Sequence, residues 1–250
     1  MTDDLQLMRK RFSELSSRAS SGGFYTFTDF LTPAQQSLLT SMRNELTAFE
    51  FFGGHSSCER RIACFGNEGE FGYEPSYPIA CIEIAPKNPK FAKPLSHRDY
   101  LGAIMSLGIK RETVGDIFQK EQIAYVFCID SVSDWIISNI ESVASVSVRC
   151  RLCSEPPEEL AGKTKRLSVN VASERLDAVI AAVWKLSRTE SAKLISAQKV
   201  AVNSLLEENC ARVLKPDDTV SVRGYGKFIH RSITGLSKKG RLFAEIDKLV

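Results

Sequence analysis

The sequence predicts an α+β protein with a helical N-terminal region over residues 1–49, an α+β middle domain over 50–153, a linker over 154–166 and a further domain over 167–250. Three observations carry that reading. Apolar residues recur at helical spacing near the N-terminus, strand-like runs alternate with capped helices in the middle, and the charge balance changes sign before the last third. The composition, 43% hydrophobic and 25% charged, is that of a globular chain.

Leu5, Met8, Phe12 and Leu15 share one helical face, and Gly22-Gly23 interrupts the pattern. Thr32-Pro33-Ala34-Gln35 then opens a second helix, with threonine as cap, proline preset at the first position and glutamine closing a capping box. This helix is expected to run to about Phe49. After a turn at Gly53 and Gly54, the runs RRIACFG, PIACIEIAP, QIAYVFCID and SVSVRCRL have strand composition. Two helices lie among them, one over 96–107 capped by Ser96 with Asp99 and stopped by Gly108, the other over about 134–142. Four strands and two helices predict a ferredoxin-like or RNA-recognition-type layer. Its strands lack the K/R-G-F-G-F signature, so base stacking on the sheet is not expected. The proline-rich, charged SEPPEELAGKTK reads as the linker, and a new domain begins near Leu167.

No apolar run approaches the roughly 18 residues of a membrane span, and acids precede any apolar stretch in MTDDLQLMRKRF, so neither insertion nor secretion is expected and the location should be cytoplasmic. Cysteines 58, 64, 81, 128, 150, 153 and 210 form an odd set within apolar runs and read as buried thiols. Cys150 and Cys153 form a lone C-x-x-C, but a structural zinc needs four ligands, and strand alternation points these two apart. No metal or cofactor is expected. His97-Arg98-Asp99 has base and orienter side chains, yet residues two apart on a helix do not face each other, and no nucleophile completes a site. Helix N-terminal structure, or an RNA or partner contact through His97 and Arg98, is the better reading. His55 and His230 are isolated surface or packing histidines.

The net charge of +3 conceals a division. Residues 1–160 hold 16 Lys+Arg against 21 Asp+Glu, while residues 161–250 hold 17 against 9. A basic segment attracts polyanions, because phosphate contacts supply most sequence-independent affinity for nucleic acid. After the strand LSVNVAS, Ser173 can cap a helix over 174–186, and Ser187-Arg188-Thr189-Glu190 is a capping box opening the next, to about Ala197. The strand KVAVN and the strand TVSVRGYGKF follow, with Gly224 and Gly226 making a turn around Tyr225. Arg188 sits where free backbone N–H donors and the helix dipole favour a phosphate. Lys193, Lys199, Lys215, Arg223 and Lys227 are expected to gather around it. Arg175 and Asp177 either pair locally or meet RNA, and Ser187 caps its helix in either case.

ERLDAVIAAVWKLSRTESAKLISAQKVAVN and KPDDTVSVRGYGKF resemble the S4-type RNA-binding domain over about residues 170–230. The specific parts are Arg175-Leu176-Asp177, Ser187-Arg188, Val200 with Val202-Asn203, and Val222-Arg223-Gly224. Upstream, LSHRDYLGAIMSLGIKRETVGDI, FLTPAQQSLL and GGHSSCERRIACF are similar to the YlmH-like S4-domain proteins, which extends the resemblance over nearly the whole chain. It implies a C-terminal S4-like (αL) RNA-binding domain, with Asn203 among its RNA-binding residues. It also implies binding to the large ribosomal subunit through rRNA, with tRNA as a further partner, in quality control of stalled translation; separately, a monomer is expected. Gln198, Ser204 and Asp217 stand where the family carries glycine, glycine or tryptophan, and glycine. Of these, glutamine tolerates positive φ least.

Two other functions compete with a non-catalytic RNA binder. Arg175-Leu176-Asp177 imitates the G-R-L-D string of pseudouridine synthases, but it opens a helix of the basic module and no large catalytic domain follows it. Alternatively, the acidic first 160 residues bind a protein partner and the basic tail serves as a tether.

Overall fold

The computed structural model describes residues 3–158, 160, 164–203, 205–236 and 240–249. They fall into two compact units, Met1–Leu160 and Ala161–Val250. That boundary coincides with the change of charge: the first unit holds the acidic excess and the second the basic one. Within the linker, residues 159 and 161–163 lie outside the described ones, as does Ser204.

The first unit opens with α1 (Asp3–Gly22), which turns Phe12, Ser16 and Ala19 inward and stops at Gly23 with φ 65°. After β1 (Thr26–Phe27), α2 (Pro33–Ser41) starts at the expected capping box, with Thr32 N–H donating to Gln35 Oε1 at 2.7 Å. It ends well before Phe49, which belongs instead to β2 (Phe49–Phe52). The rings of Phe49 and Phe51 lie 5.5 Å apart on one strand face, whereas a helix would set them on opposite sides. β3 (Ile62–Phe65), expected in the middle sheet, pairs with β1 and β2 in a separate antiparallel sheet of order β1-β3-β2. Its four side chains are all buried because it is covered on both sides. Ala63 and Phe65 pack with Phe12, Leu39 and Met42, while Ile62 turns to the opposite side.

After the short α3 (Glu68–Phe71), the main sheet is built from β4 (Ile79–Pro86), α4 (His97–Met105), β5 (Val114–Lys120), β6 (Ile123–Ile129), α5 (Asp130–Asn139), β7 (Ser142–Val143) and β8 (Val146–Leu152). Its order is β5-β6-β4-β8-β7, with every neighbouring pair antiparallel. Helix α5 begins four residues earlier than the sequence suggests. The Asp130 N–H, bonded to Pro78 O at 3.1 Å, passes straight from the ladder into the helix. One face, with Ile82, Ile84, Val126 and Val148, packs against Tyr100 and Ile104 of α4 and Ile136 of α5. The opposite face, with Cys81, Tyr125 and Phe127, is covered by Phe30, Cys58, Ile62 and Leu160. Cys150 joins the first cluster and Cys153 the second, so alternation does separate them.

The second unit comprises β9 (Thr164–Val171), α6 (Leu176–Trp184), α7 (Arg188–Ser196), β10 (Val200–Val202), β11 (Leu205–Leu206), β12 (Thr219–Val222), β13 (Gly226–Leu236) and β14 (Leu242–Leu249). They form one antiparallel sheet of order β11-β10-β12-β13-β14-β9. Leu176, Val179, Ile180 and Val183 of α6 pack with Ile195, Val200, Val220 and Phe228. Helix α6 is shorter than predicted. Arg175 stays extended and bridges Val213, and Lys185 closes the other end in the left-handed conformation, φ 56°. TVSVRGYGKF is two strands, not one, because Gly224 and Gly226 turn the chain with φ 90° and 112°.

Candidate nucleic-acid interface

Ser187 caps α7 as its sequence requires: its hydroxyl accepts from Glu190 N–H at 3.1 Å, and Glu190 Oε2 accepts from Ser187 N–H at 2.8 Å. Ser191, fully buried, donates to the carbonyl oxygens of Asp177 at 2.8 Å and Arg188 at 3.0 Å, tying the start of α7 to the start of α6. At that junction Arg188 Nη2 donates to Asp177 Oδ2 at 2.6 Å, and Arg175 donates to the same carboxylate at 3.2 and 3.3 Å. The Asp177 side chain is 7% exposed, whereas those of Arg175 and Arg188 are 42% and 53% exposed. One buried carboxylate thus orients two guanidiniums whose remaining donors face water. Burial acts to raise the Asp177 pKa, but the hydrogen bonds from Arg188 and Arg175 outweigh it, and the carboxyl sits below its ordinary range. Asp177, expected among RNA-contacting residues, therefore positions the arginines, with its oxygens already occupied.

The other predicted cations do not all converge here. Lys215 follows the Val213 bridge by two residues and so extends the Arg175 side, its N–H bonded to Asp218 Oδ2 at 2.9 Å. Lys193 is exposed in the last turn of α7, rotated about 140° from Arg188 around the helix axis. Lys199 and Arg223 form a second group, joined where Arg223 N–H donates to Lys199 O at 2.8 Å. Lys227, half-buried, faces Ser221 just beyond the same turn. Asn203 stands at the other end of β10, about 13 Å along the strand from Lys199. Its amide, on an exposed residue, is used within the unit, donating to Asp218 at 2.7 Å and accepting from Thr219 N–H at 2.9 Å, so it shapes the turn. The single convergence point that the sequence suggested is replaced by two groups.

Sequence reasoning missed several participants. Trp184 donates to Tyr225 O at 3.1 Å, their rings meet edge to face at 6.0 Å, and Lys248 Nζ lies 5.8 Å from the Trp184 ring centroid. An aromatic pair therefore adjoins the second cationic group. Arg231 and Arg166 both grip Asp247, at 2.7 and 2.9 Å, and hold its carboxyl down at about 2 through those hydrogen bonds. Only the strand register, which composition does not reveal, brings those three together.

In the first unit, His97 and Arg98 are exposed at the start of α4. Asp99 accepts from the Ser96 N–H and hydroxyl, both at 2.7 Å, which lowers its pKa. No group of three or more potential metal-ligating side chains occurs among the described residues. His230 is fully buried, 3.2 Å from Glu174.

Residues 73–155 match the family model described as "Putative RNA-binding domain in YlmH". That match covers the main sheet with α4 and α5, and lies outside the basic unit. The chain is 26% identical over 216 residues to "Ribosome-associated protein quality control protein P2" of Bacillus subtilis (strain 168), covering 86% of this chain and 83% of that protein. Among solved structures it matches "Cell division protein ylmH from Streptococcus pneumoniae" with a TM-score of 0.49 and 20% identity, covering 61% of this chain and 93% of the other. Residues 73–155 thus resemble the RNA-binding domain of YlmH, and most of the chain is similar to the Bacillus subtilis protein.

Proposed function

We infer that this is a non-catalytic RNA-binding protein of the cytoplasm that binds the large ribosomal subunit as a monomer, contacting rRNA and tRNA during quality control of stalled translation. The observation that carries the reading is the Asp177 clamp, which holds Arg188 and Arg175 half-exposed beside the capped start of α7. Such guanidiniums suit phosphate, since their forked donors are fixed in direction before the ligand arrives. The short helix pair followed by β10 supports an S4-like reading of the second unit. The strand-helix-strand-strand-helix-strand order of the main sheet supports an RNA-recognition-like reading of residues 73–155. The similarity to a ribosome-associated quality control protein of Bacillus subtilis supports the ribosomal setting.

The test is binding of the purified protein to large subunits and to isolated rRNA stem-loops across a salt series. Arg188→Ala is expected to weaken binding and to flatten the slope of log K against log salt by about one. Unchanged affinity and slope would favour a protein-binding scaffold in its place.

A further inference from the structure

The connection between β4 and α4 carries the largest exposed aromatic surface described in the chain. Phe91 is 87% exposed. Residues 86–98 contain Lys87, Lys90, Lys93 and Arg98 with no aspartate or glutamate. The three lysines are exposed and form no ion pair with another described residue. The ring is not on a loose tether. Lys87 N–H donates to Ser147 O at 2.9 Å, Pro89 opens a 3₁₀ turn, and Phe91 and Ala92 N–H close it on Asn88 O and Pro89 O at 3.2 and 3.3 Å. Beside Phe91 lies an open hollow of about 220 Å³, floored by Ser145, Val146 and Ser147.

A ring in water on a hydrogen-bonded turn, flanked within four residues on either side by exposed lysines, has the make-up of a stacking platform for an unpaired base. The ring supplies a sequence-tolerant face and the lysines track the adjoining phosphates. We propose that residues 87–93 form a contact for single-stranded RNA, distinct from the Arg188 group, in which Phe91 stacks on an exposed base. The charge favours a polyanion over an apolar protein partner, because three exposed lysines and no acidic residue lie within four positions of the ring along the chain. The inference rests on the RNA-binding reading above and assigns to the first unit a preference for unpaired RNA. The sheet face cannot supply that preference where Phe30, Cys58, Ile62 and Leu160 cover it.

Full-length protein titrated with an unstructured ten-nucleotide oligouridine and with a blunt RNA duplex tests this. Phe91→Ala is expected to weaken oligouridine binding roughly 5- to 150-fold and leave the duplex unaffected, with Phe91→Tyr close to the parent. Each of Lys87→Ala, Lys90→Ala and Lys93→Ala should lower the salt slope by about 0.7 on the single strand. The ring is exposed, so its removal empties no core. A Phe91→Ala protein that binds oligouridine like the parent overturns the proposal and leaves the ring to a protein partner or to none. If Arg188→Ala then still weakens duplex binding, the general RNA reading survives that failure. A parent protein that binds neither RNA overturns both.

Discussion

Arg188 reaches back across eleven residues of chain to place its Nη2 2.6 Å from the buried Oδ2 of Asp177. The contact fixes the angle between α6 and α7 as well as the direction of the guanidinium, since Ser191 bonds the Asp177 carbonyl from the same turn. Asp177→Asn keeps the shape but removes the charge. It should cost about 1–3 kcal/mol of stability in urea titrations at neutral pH. Because the folded pKa is depressed, that stabilisation is fully present above the unfolded value near 3.9 and is lost as the pH falls through the folded one. A variant as stable as the parent at pH 7 would show that the clamp adds nothing to the fold.

Local signals were legible. The capping boxes at Thr32, Ser96 and Ser187 each mark a helix start, because a cap is set by residues within four positions of one another. Features set by long-range pairing were not. RRIACFG has the same composition whether it joins the main sheet or the smaller one, and only burial from two sides separates the cases. The long β13–β14 hairpin stayed hidden because bulges between His230 and Ser232, and between Ile233 and Gly235, break the alternation that announces a strand. At the site, Ser187 and Arg188 could be read from a motif, whereas the shared carboxylate needed the crossing of α6 and α7. The bond from Asn203 to Asp218 could not be read, because it joins residues fifteen positions apart.

Asp247 ties three strands, accepting from Arg166 of β9 and Arg231 of β13 while it sits on β14. Its carboxyl is held near 2 against an ordinary value of 3.8, a difference equivalent to about 2 kcal/mol. This contribution is complete above pH 4 and fades as the pH drops toward 2. Asp247→Asn should therefore unfold at higher pH than the parent in acid titrations followed by circular dichroism, with the two stabilities converging near pH 2. Parallel curves with a constant gap would assign the effect to packing.

The thiols offer a check on the buried, reduced reading. Burial raises Cys58, Cys64 and Cys128 to about 12 and Cys150 to about 11. Since thiolate is the reactive form, these four should react slowly with a disulfide reagent at pH 8 in the native protein and rapidly after denaturation. Fast native labelling at any of them, read by mass spectrometry, would contradict the burial described.

Gln198 and Asp217 occupy the left-handed region, φ 55° and 66°, which costs a side-chain-bearing residue roughly 1–2 kcal/mol. Their compensation differs. Asp217 holds Arg231 at 2.6 Å, an ion pair that also steadies the Arg231–Asp247 contact, whereas the Gln198 amide donates only to exposed Glu208. Gln198→Gly should consequently raise stability by about 0.5–1 kcal/mol, because relief of strain exceeds the added freedom of the unfolded chain. Asp217→Gly should be neutral or destabilising, since the same relief is set against loss of the Arg231 pair. Thermal unfolding of the two variants beside the parent distinguishes these outcomes. A stabilising Asp217→Gly, or a destabilising Gln198→Gly, would mean that backbone strain at these turns is not what limits the second unit.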